Sequence, residues 1–169
     1  AGRVPQSSGS ITVDGQELPP GSPRASKALG VHAIYQELTI VPALSPQANV
    51  FLGNTMSNAG WLDEAEMRRR YEELCTQLAV SPQRGRSGDL SVADQQILEI
   101  MRALVSDAKA VLFDEPTASL AHAERESLFR TMHQLRDEGL ALVLVSHNLD
   151  EVLEHSDVIT VMRDGQLVE

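Results

Sequence analysis

The apolar positions of this chain change their spacing twice, and the changes divide it into three stretches. Residues 10–18 alternate around Asp14-Gly15, which predicts two short strands joined by a tight turn. Residues 19–26 read as a loop, and 31–35 as a short apolar strand ending at Gln36; 42–46 read as irregular. Beyond Gly60 the spacing becomes helical. Asp63 is placed as an N-cap, Glu66 completes a capping-box pattern, and Met67, Tyr71, Leu74 and Leu78 form one stripe. A polar loop occupies 82–88. Ser91 then caps a second helix with Ile97, Leu98, Met101, Leu104 and Val105 on its apolar side.

The spacing then shortens again. Residues 110–113 are a continuous apolar run, the pattern of a strand buried on both faces. A helix over 121–138 stops at Gly139. Residues 140–145 predict a second buried strand, 149–153 a short helix, and 158–162 a third strand followed by the Asp164-Gly165 turn. Strands alternating with helices predict an α/β fold with a parallel sheet covered by helices. Residues 45–108 read as a helical insertion into it.

Composition narrows the picture. The chain has 169 residues and is 42% hydrophobic but only 4% aromatic, so its core is expected to consist of Leu, Val, Ile and Ala. A formal net charge of -10 repels phosphate backbones and argues against nucleic acid as a partner. The basic run Arg68-Arg69-Arg70 reads as the solvated face of a helix. Cys75 is the only cysteine, so no internal disulfide forms, which fits a reducing compartment. No run approaches the ~20 apolar residues of a membrane span. A cytoplasmic location is expected, with membrane association only through a partner.

The candidate chemistry lies where the buried runs end. Val111-Leu112-Phe113 is followed at once by Asp114-Glu115. In open α/β sheets the carboxyl ends of strands face the ligand crevice. One carboxylate there can hold Mg²⁺ through its waters and a second can orient or deprotonate an attacking water; a strand ending in an acidic surface turn has the same residues. The 140–145 run ends in Ser146-His147, where an imidazole could contact a phosphate or simply be solvated. Gln36 ends the earlier strand and offers an amide to a metal. Ser91, Val92, Ala93, Asp94 and Gln95 open a helix, whose first turn has free N–H groups suited to phosphate; a plain N-cap fits them equally.

Order and spacing add to these motifs. The chain resembles the nucleotide-binding subunits of ATP-binding cassette (ABC) transporters along nearly its whole length. Tyr35-Gln36-Glu37 resembles the Q-loop of that family, and residues 90–96 its signature motif. Residues 112–117 resemble its Walker B strand with the catalytic glutamate, 118–121 its D-loop, and Val145-Ser146-His147 its switch histidine. Tyr35-Gln36-Glu37-Leu38, the stretch 49–53, Asp94-Gln95-Gln96 and the stretch 146–152 are similar to the ribose- and galactose-type sugar-importer branch.

The resemblance implies a P-loop NTPase-like parallel sheet with a helical subdomain and a small antiparallel β element. The implied divisions are 1–44, a partial ATPase core with the β hairpin and Q-loop; 45–108, the helical subdomain; and 109–169, the core with Walker B, D-loop and switch histidine. It also implies ATP and Mg²⁺ as cofactors. Glu115 and His147 would be catalytic, Asp114 and Gln36 would serve the metal, Gln36 and His147 would read the γ-phosphate, and 91–95 would contact ATP held by an opposing cassette. The implied partners are a membrane permease docked on the helical subdomain, a second cassette and, indirectly, a periplasmic sugar-binding protein, with the subunit peripheral on the inner face of the membrane.

The pattern departs from the family at several places. No Gly-x-x-x-x-Gly-Lys-Ser/Thr loop is present, and neither Lys27 nor Lys109 stands in such a context. No aromatic residue precedes Gly15 to stack on adenine. Residues 1–10 resemble the segment just beyond the loop's helix, which implies a chain that starts after the loop and does not hydrolyse ATP by itself. Val92 and Ala93 stand for the signature glycines, Asp94 for a glutamine, and Ala121 for the D-loop aspartate. Two other function classes compete with this one. A chromosome-maintenance ATPase needs a long coiled coil, yet only 54 residues lie between Gln36 and Ser91, without sustained heptads. A non-catalytic module binding a permease or a second subunit needs no nucleotide.

Overall fold

The computed structural model describes every residue except 1, 3, 6, 59 and 169; part of the amino-terminal stretch compared with the family therefore lies outside the described residues. The chain opens with β1 (Thr12–Val13) and β2 (Gln16–Glu17), antiparallel around the Asp14-Gly15 turn. Both turn residues have positive φ, which glycine tolerates and aspartate accepts more readily than most residues. A helix then forms where a loop was expected: α1 (Pro23–Ala28). Ser22 caps it by accepting the Ala25 N–H, and Pro23, which lacks an N–H, sits at the first helical position.

The central sheet contains β3 (Val31–Ile34). After α2 (Pro46–Val50), a small hairpin of β4 (Ser57–Asn58) and β5 (Trp61–Leu62) interrupts the stretch expected to be helical. The side chain of Trp61 on this hairpin is 81% exposed. Next comes α3 (Glu64–Gln77), where Asp63 Oδ1 accepts the Glu66 N–H at 3.0 Å. Only that arm of the expected capping box forms, because the Glu66 carboxylate turns outward to Arg69. Met67, Tyr71, Leu74 and Leu78 are all buried, as their spacing predicts.

Ser91 caps α4 (Val92–Val105). This helix is buried around more of its circumference than a single stripe. Leu98 and Met101 are in the core, but so are Ile100, Ala103, Gln96 and Glu99, whereas Ile97, Leu104 and Val105 are only partly buried. The reason is its position: α4 packs on β3, on α2 and on the helix after the next strand.

That strand is β6 (Ala110–Asp114), followed by α5 (His122–Asp137), β7 (Ala141–Val145) and α6 (Leu149–His155). The sheet is parallel with order β3-β6-β7, and β6 is central. The register places His32 and Ile34, Val111 and Phe113, and Leu142 and Leu144 on one face. The other face carries Val31, Ala33, Ala110, Leu112, Ala141, Val143 and Val145. The expectation of burial on both faces is corrected here: Val111 and Phe113 are 1% exposed, while Val143 and Val145 across the sheet are 47% and 50% exposed. Helices α4 and α5 cover only the first face.

The expected strand over 158–162 does not form. Val158 to Val161 pair with no strand of the central sheet; β8 (Met162–Arg163) and β9 (Gln166–Leu167) pair around Asp164-Gly165, and the Val168 N–H bonds to the Val161 carbonyl at 2.8 Å. An apolar run becomes a strand only beside a partner with free N–H and C=O groups in register.

Candidate functional site

Parallel pairing in register brings three strand ends together. Ile34 sits beside Phe113, and Asp114 beside Val145, so Gln36, Asp114-Glu115 and Ser146-His147 emerge at the same edge of the sheet. Asp114 ends β6 with its carboxylate exposed. Glu115 turns the chain with φ +49°, a conformation costing a non-glycine residue about 1–2 kcal/mol. Its N–H still bonds to the Val145 carbonyl at 2.9 Å, which ties the turn to β7.

Across that tie, His147 Nδ1 lies 2.8 Å from Glu115 Oε2. The geometry therefore joins two of the residues singled out from the sequence. Gln36 is exposed on the neighbouring strand end, and among the described residues no hydrogen bond links it to either carboxylate. The cluster lies on open surface. Two clefts of the structure lie elsewhere: one of about 440 Å³ between α2, α3 and the 82–85 loop, and one of about 790 Å³ at the amino ends of the strands.

The start of α4 sits next to this edge without joining it. Gln96, in the second turn, donates from Nε2 to the Pro116 carbonyl directly after Glu115. At the N-terminus, the Ser91 hydroxyl accepts the Asp94 N–H at 3.1 Å and donates to Asp94 Oδ2 at 3.0 Å. Gln95 Nε2 bonds to the Leu90 carbonyl. The Asp94 carboxylate thus occupies the positive end of the helix, where an incoming phosphate would compete with it.

Sequence reasoning missed what holds the segment after Gln36. Glu99 is 6% exposed, and its Oε1 accepts both the N–H and the hydroxyl of Thr39, each at 2.6 Å. Arg102, one turn later, donates from Nη1 to the same hydroxyl and from Nε to the Asn49 carbonyl, each at 3.0 Å. Burial lowers the pKa of the Arg102 guanidinium from its ordinary value, and the Glu99 charge opposes that shift. Asn49 takes both the N–H and the C=O of Val41. Residues 39–41 are therefore clamped by side chains of two helices. The local sequence carries no signal for this: Glu99 in a helical pattern reads as solvent-facing, and only packing on several sides of α4 buries it.

The counter-charge of the site is limited. Lys109 immediately precedes β6 and Lys27 lies just before β3, so both lysines are at the amino ends of the strands. Lys109 stands about 16 Å, five strand residues, from the Asp114 edge. Lys109 is paired with Asp14. Asp114 suits a hydrated divalent cation, and Glu115 and His147 suit a water or a phosphate oxygen. Among the described residues no lysine reaches this edge to hold the phosphates themselves.

Known proteins share the fold and the family pattern of this chain. The family model described as ABC transporter matches residues 1–118. A ribose import ATP-binding protein RbsA of Oceanobacillus iheyensis is 41% identical over 166 residues, covering 97% of this chain and 34% of that protein. An arabinose import ATP-binding protein AraG 1 of Burkholderia ambifaria is 38% identical over 168 residues, covering 99% of this chain and 33% of that protein. The chain thus spans about a third of the length of the curated relatives it matches. Among solved structures, a nucleotide-free ATP-binding cassette from an ABC transporter superposes with a TM-score of 0.83 at 22% identity, covering 99% of this chain and 71% of that one. A cassette bound to ADP and phosphate in a dimeric post-hydrolysis state gives a TM-score of 0.75 at 21% identity, covering 96% and 72%. With the fold of an ATP-binding cassette and a family match over most of its length, this chain belongs to the ABC transporter family.

Proposed function

We propose that the chain is part of the ATP-hydrolysing subunit of an importer for a sugar. The observation that carries this reading is the Glu115–His147 contact at 2.8 Å, formed between two adjacent strand ends and beside the exposed carboxylate of Asp114. The import functions in the names of the matching relatives support the sugar assignment.

In this reading Glu115 accepts a hydrogen bond from the attacking water, and His147 holds that water or a γ-phosphate oxygen in line. Mg²⁺, held by Asp114 and Gln36, would supply positive charge to the phosphates. Ser91, Val92, Ala93, Asp94 and Gln95 face ATP held by a second cassette, with Asp94 giving up its bond to Ser91 on engagement. The helical region over 45–108 docks on the membrane permease, a periplasmic sugar-binding protein acts beyond it, and the subunit sits peripherally on the inner face of the membrane. Both lysines lie at the far end of the sheet, so the 169-residue chain alone does not turn over ATP.

The test uses thermal melts with ATP and Mg²⁺, together with phosphate release. This chain alone shows no upward shift. A protein in which the chain is preceded by a Gly-x-x-x-x-Gly-Lys-Ser/Thr loop shows both a shift and turnover. There Glu115→Gln lowers turnover by about 100-fold while the shift remains. Unchanged turnover in that variant removes Glu115, and with it this reading, from the chemistry.

A further inference from the structure

Glu115 and His147 touch, yet little holds the imidazole in place. The His147 side chain is 82% exposed, so packing does not fix it. A contact with one partner so exposed contributes about 0–1 kcal/mol even when both groups are charged, too little to hold two turns at a set spacing. A third carboxylate lies beneath them, within the stretch 146–152 that resembles the sugar-importer branch, and the proposed chemistry gives it no role. Glu151 is only 9% exposed. It lies in the first turn of α6, four residues after His147.

Both oxygens of Glu151 are engaged by the other side of the site. Oε2 accepts the Thr117 hydroxyl at 2.7 Å, and Thr117, itself 7% exposed, is two residues after Glu115. Oε1 accepts Nη1 of Arg125 on α5 at 3.3 Å. The turn 114–117 and the segment 146–151 are therefore joined at two side-chain points: Glu115 with His147 on the surface, and Thr117 with Glu151 beneath it. Helix-dipole stabilisation explains an acidic residue at the start of α6, and the exposed Asp150 beside it meets that need. It does not explain why the neighbouring carboxylate turns inward, where desolvation costs several kcal/mol before pairing. The Arg125 Nε is buried without a hydrogen-bond partner among the described residues, so the arrangement is not optimised for stability alone.

We propose that Glu151 is a positioning residue: through Thr117 it locks the start of α6 against the turn after β6, and so sets the contact between His147 and Glu115. The proposal rests on the reading of that pair as the working pair, but its first test needs no nucleotide. The test follows the His147 ring nitrogens by NMR in this chain, with Glu115→Gln as the probe of contact. In the otherwise unchanged chain, Glu115→Gln moves the His147 signals. In Glu151→Ala and in Thr117→Val that response falls by more than half, whereas Glu151→Gln, which still accepts from Thr117, keeps most of it. Thr117→Val preserves side-chain shape and answers the question if Glu151→Ala does not fold. A Thr117→Val chain whose His147 signals respond to Glu115→Gln as before overturns the proposal. In a cassette that carries the phosphate loop, Glu151→Ala is expected to lower kcat about 10-fold with little change in KM for ATP. A lost NMR response with kcat unchanged keeps the positioning role and sinks the catalytic reading of the pair.

Discussion

Asn49 has no exposed surface, and its amide serves four other groups, the longest bond running from Nδ2 to the Ser45 carbonyl at 3.4 Å. Oδ1 accepts the Val41 N–H at 2.9 Å, and Nδ2 donates to the Val41 carbonyl at 3.0 Å and to Ser87 Oγ at 2.8 Å. Asn49→Ala leaves these groups without their partner, at about 1–3 kcal/mol for each one that water cannot reach, Ser87 being fully buried. A total loss of about 3 kcal/mol is expected from urea unfolding followed by circular dichroism; a loss below about 0.5 kcal/mol contradicts the clamp. His32 acts at the same scale through protons. Burial, and secondarily the charge of Lys27, lower its pKa from the ordinary 6.5. Between the lowered folded value and 6.5 the unfolded chain binds more protons than the folded one. Stability therefore rises with pH through that window and falls on acidification. Unfolding free energies at a series of pH values from 6.5 downward should show a shallower slope in His32→Gln than in the parent chain; equal slopes exclude His32 as a source.

At the scale of elements, α4 connects the parts of the site. Its start lies beside the turn after Glu115, through Gln96, and its middle holds the segment after Gln36, through Glu99 and Arg102. Glu99→Ala leaves Arg102 half-buried without its counter-charge, so the single change is more destructive than loss of the pair. A double-mutant cycle of Glu99→Ala and Arg102→Ala should give a coupling of about 1–3 kcal/mol, the double variant losing less than the sum of the singles. Additive losses show that the two groups do not act as a unit.

Elements also show what could be read from the sequence. The turn at Asp114-Glu115 was legible because an apolar run ends abruptly in charge, and the helix of Met67, Tyr71, Leu74 and Leu78 because its period is clean. Glu99, Glu151 and Asn49 were not. A polar residue in a helical pattern reads as solvent-facing, and only tertiary packing around α2, α4 and α6 turns these inward. The run 158–162 misled for the opposite reason: its composition suits a strand, but strand formation depends on a neighbour that local pattern does not reveal. The short helix α1 could have been found from Ser22-Pro23, a cap followed by the residue favoured at the first helical position.

At the scale of the whole molecule, the uncovered sheet face dominates. Along the chain Val143 and Val145 are followed by Leu149 and Leu153, 63% and 61% exposed, and Val158, 85% exposed. β7 pairs with only one strand among the described residues, so an unpaired ladder edge borders this apolar surface. Opposing this, the net charge of -10 makes copies repel one another. Association is therefore expected to grow with protein concentration and with added salt, which screens the repulsion. Sedimentation velocity should show the larger species, and Val143→Lys with Val145→Lys should reduce them. A monomer at every concentration and salt level contradicts this balance.

The hairpin of β4 and β5 carries the chain's only tryptophan at its surface. Trp61 already sees water in the native state, so its fluorescence changes little when the core melts and is a poor reporter of unfolding. The same exposure makes it a clean optical reporter for anything that covers the hairpin: a blue-shifted emission would signal occupancy there while the rest of the molecule stays spectroscopically silent.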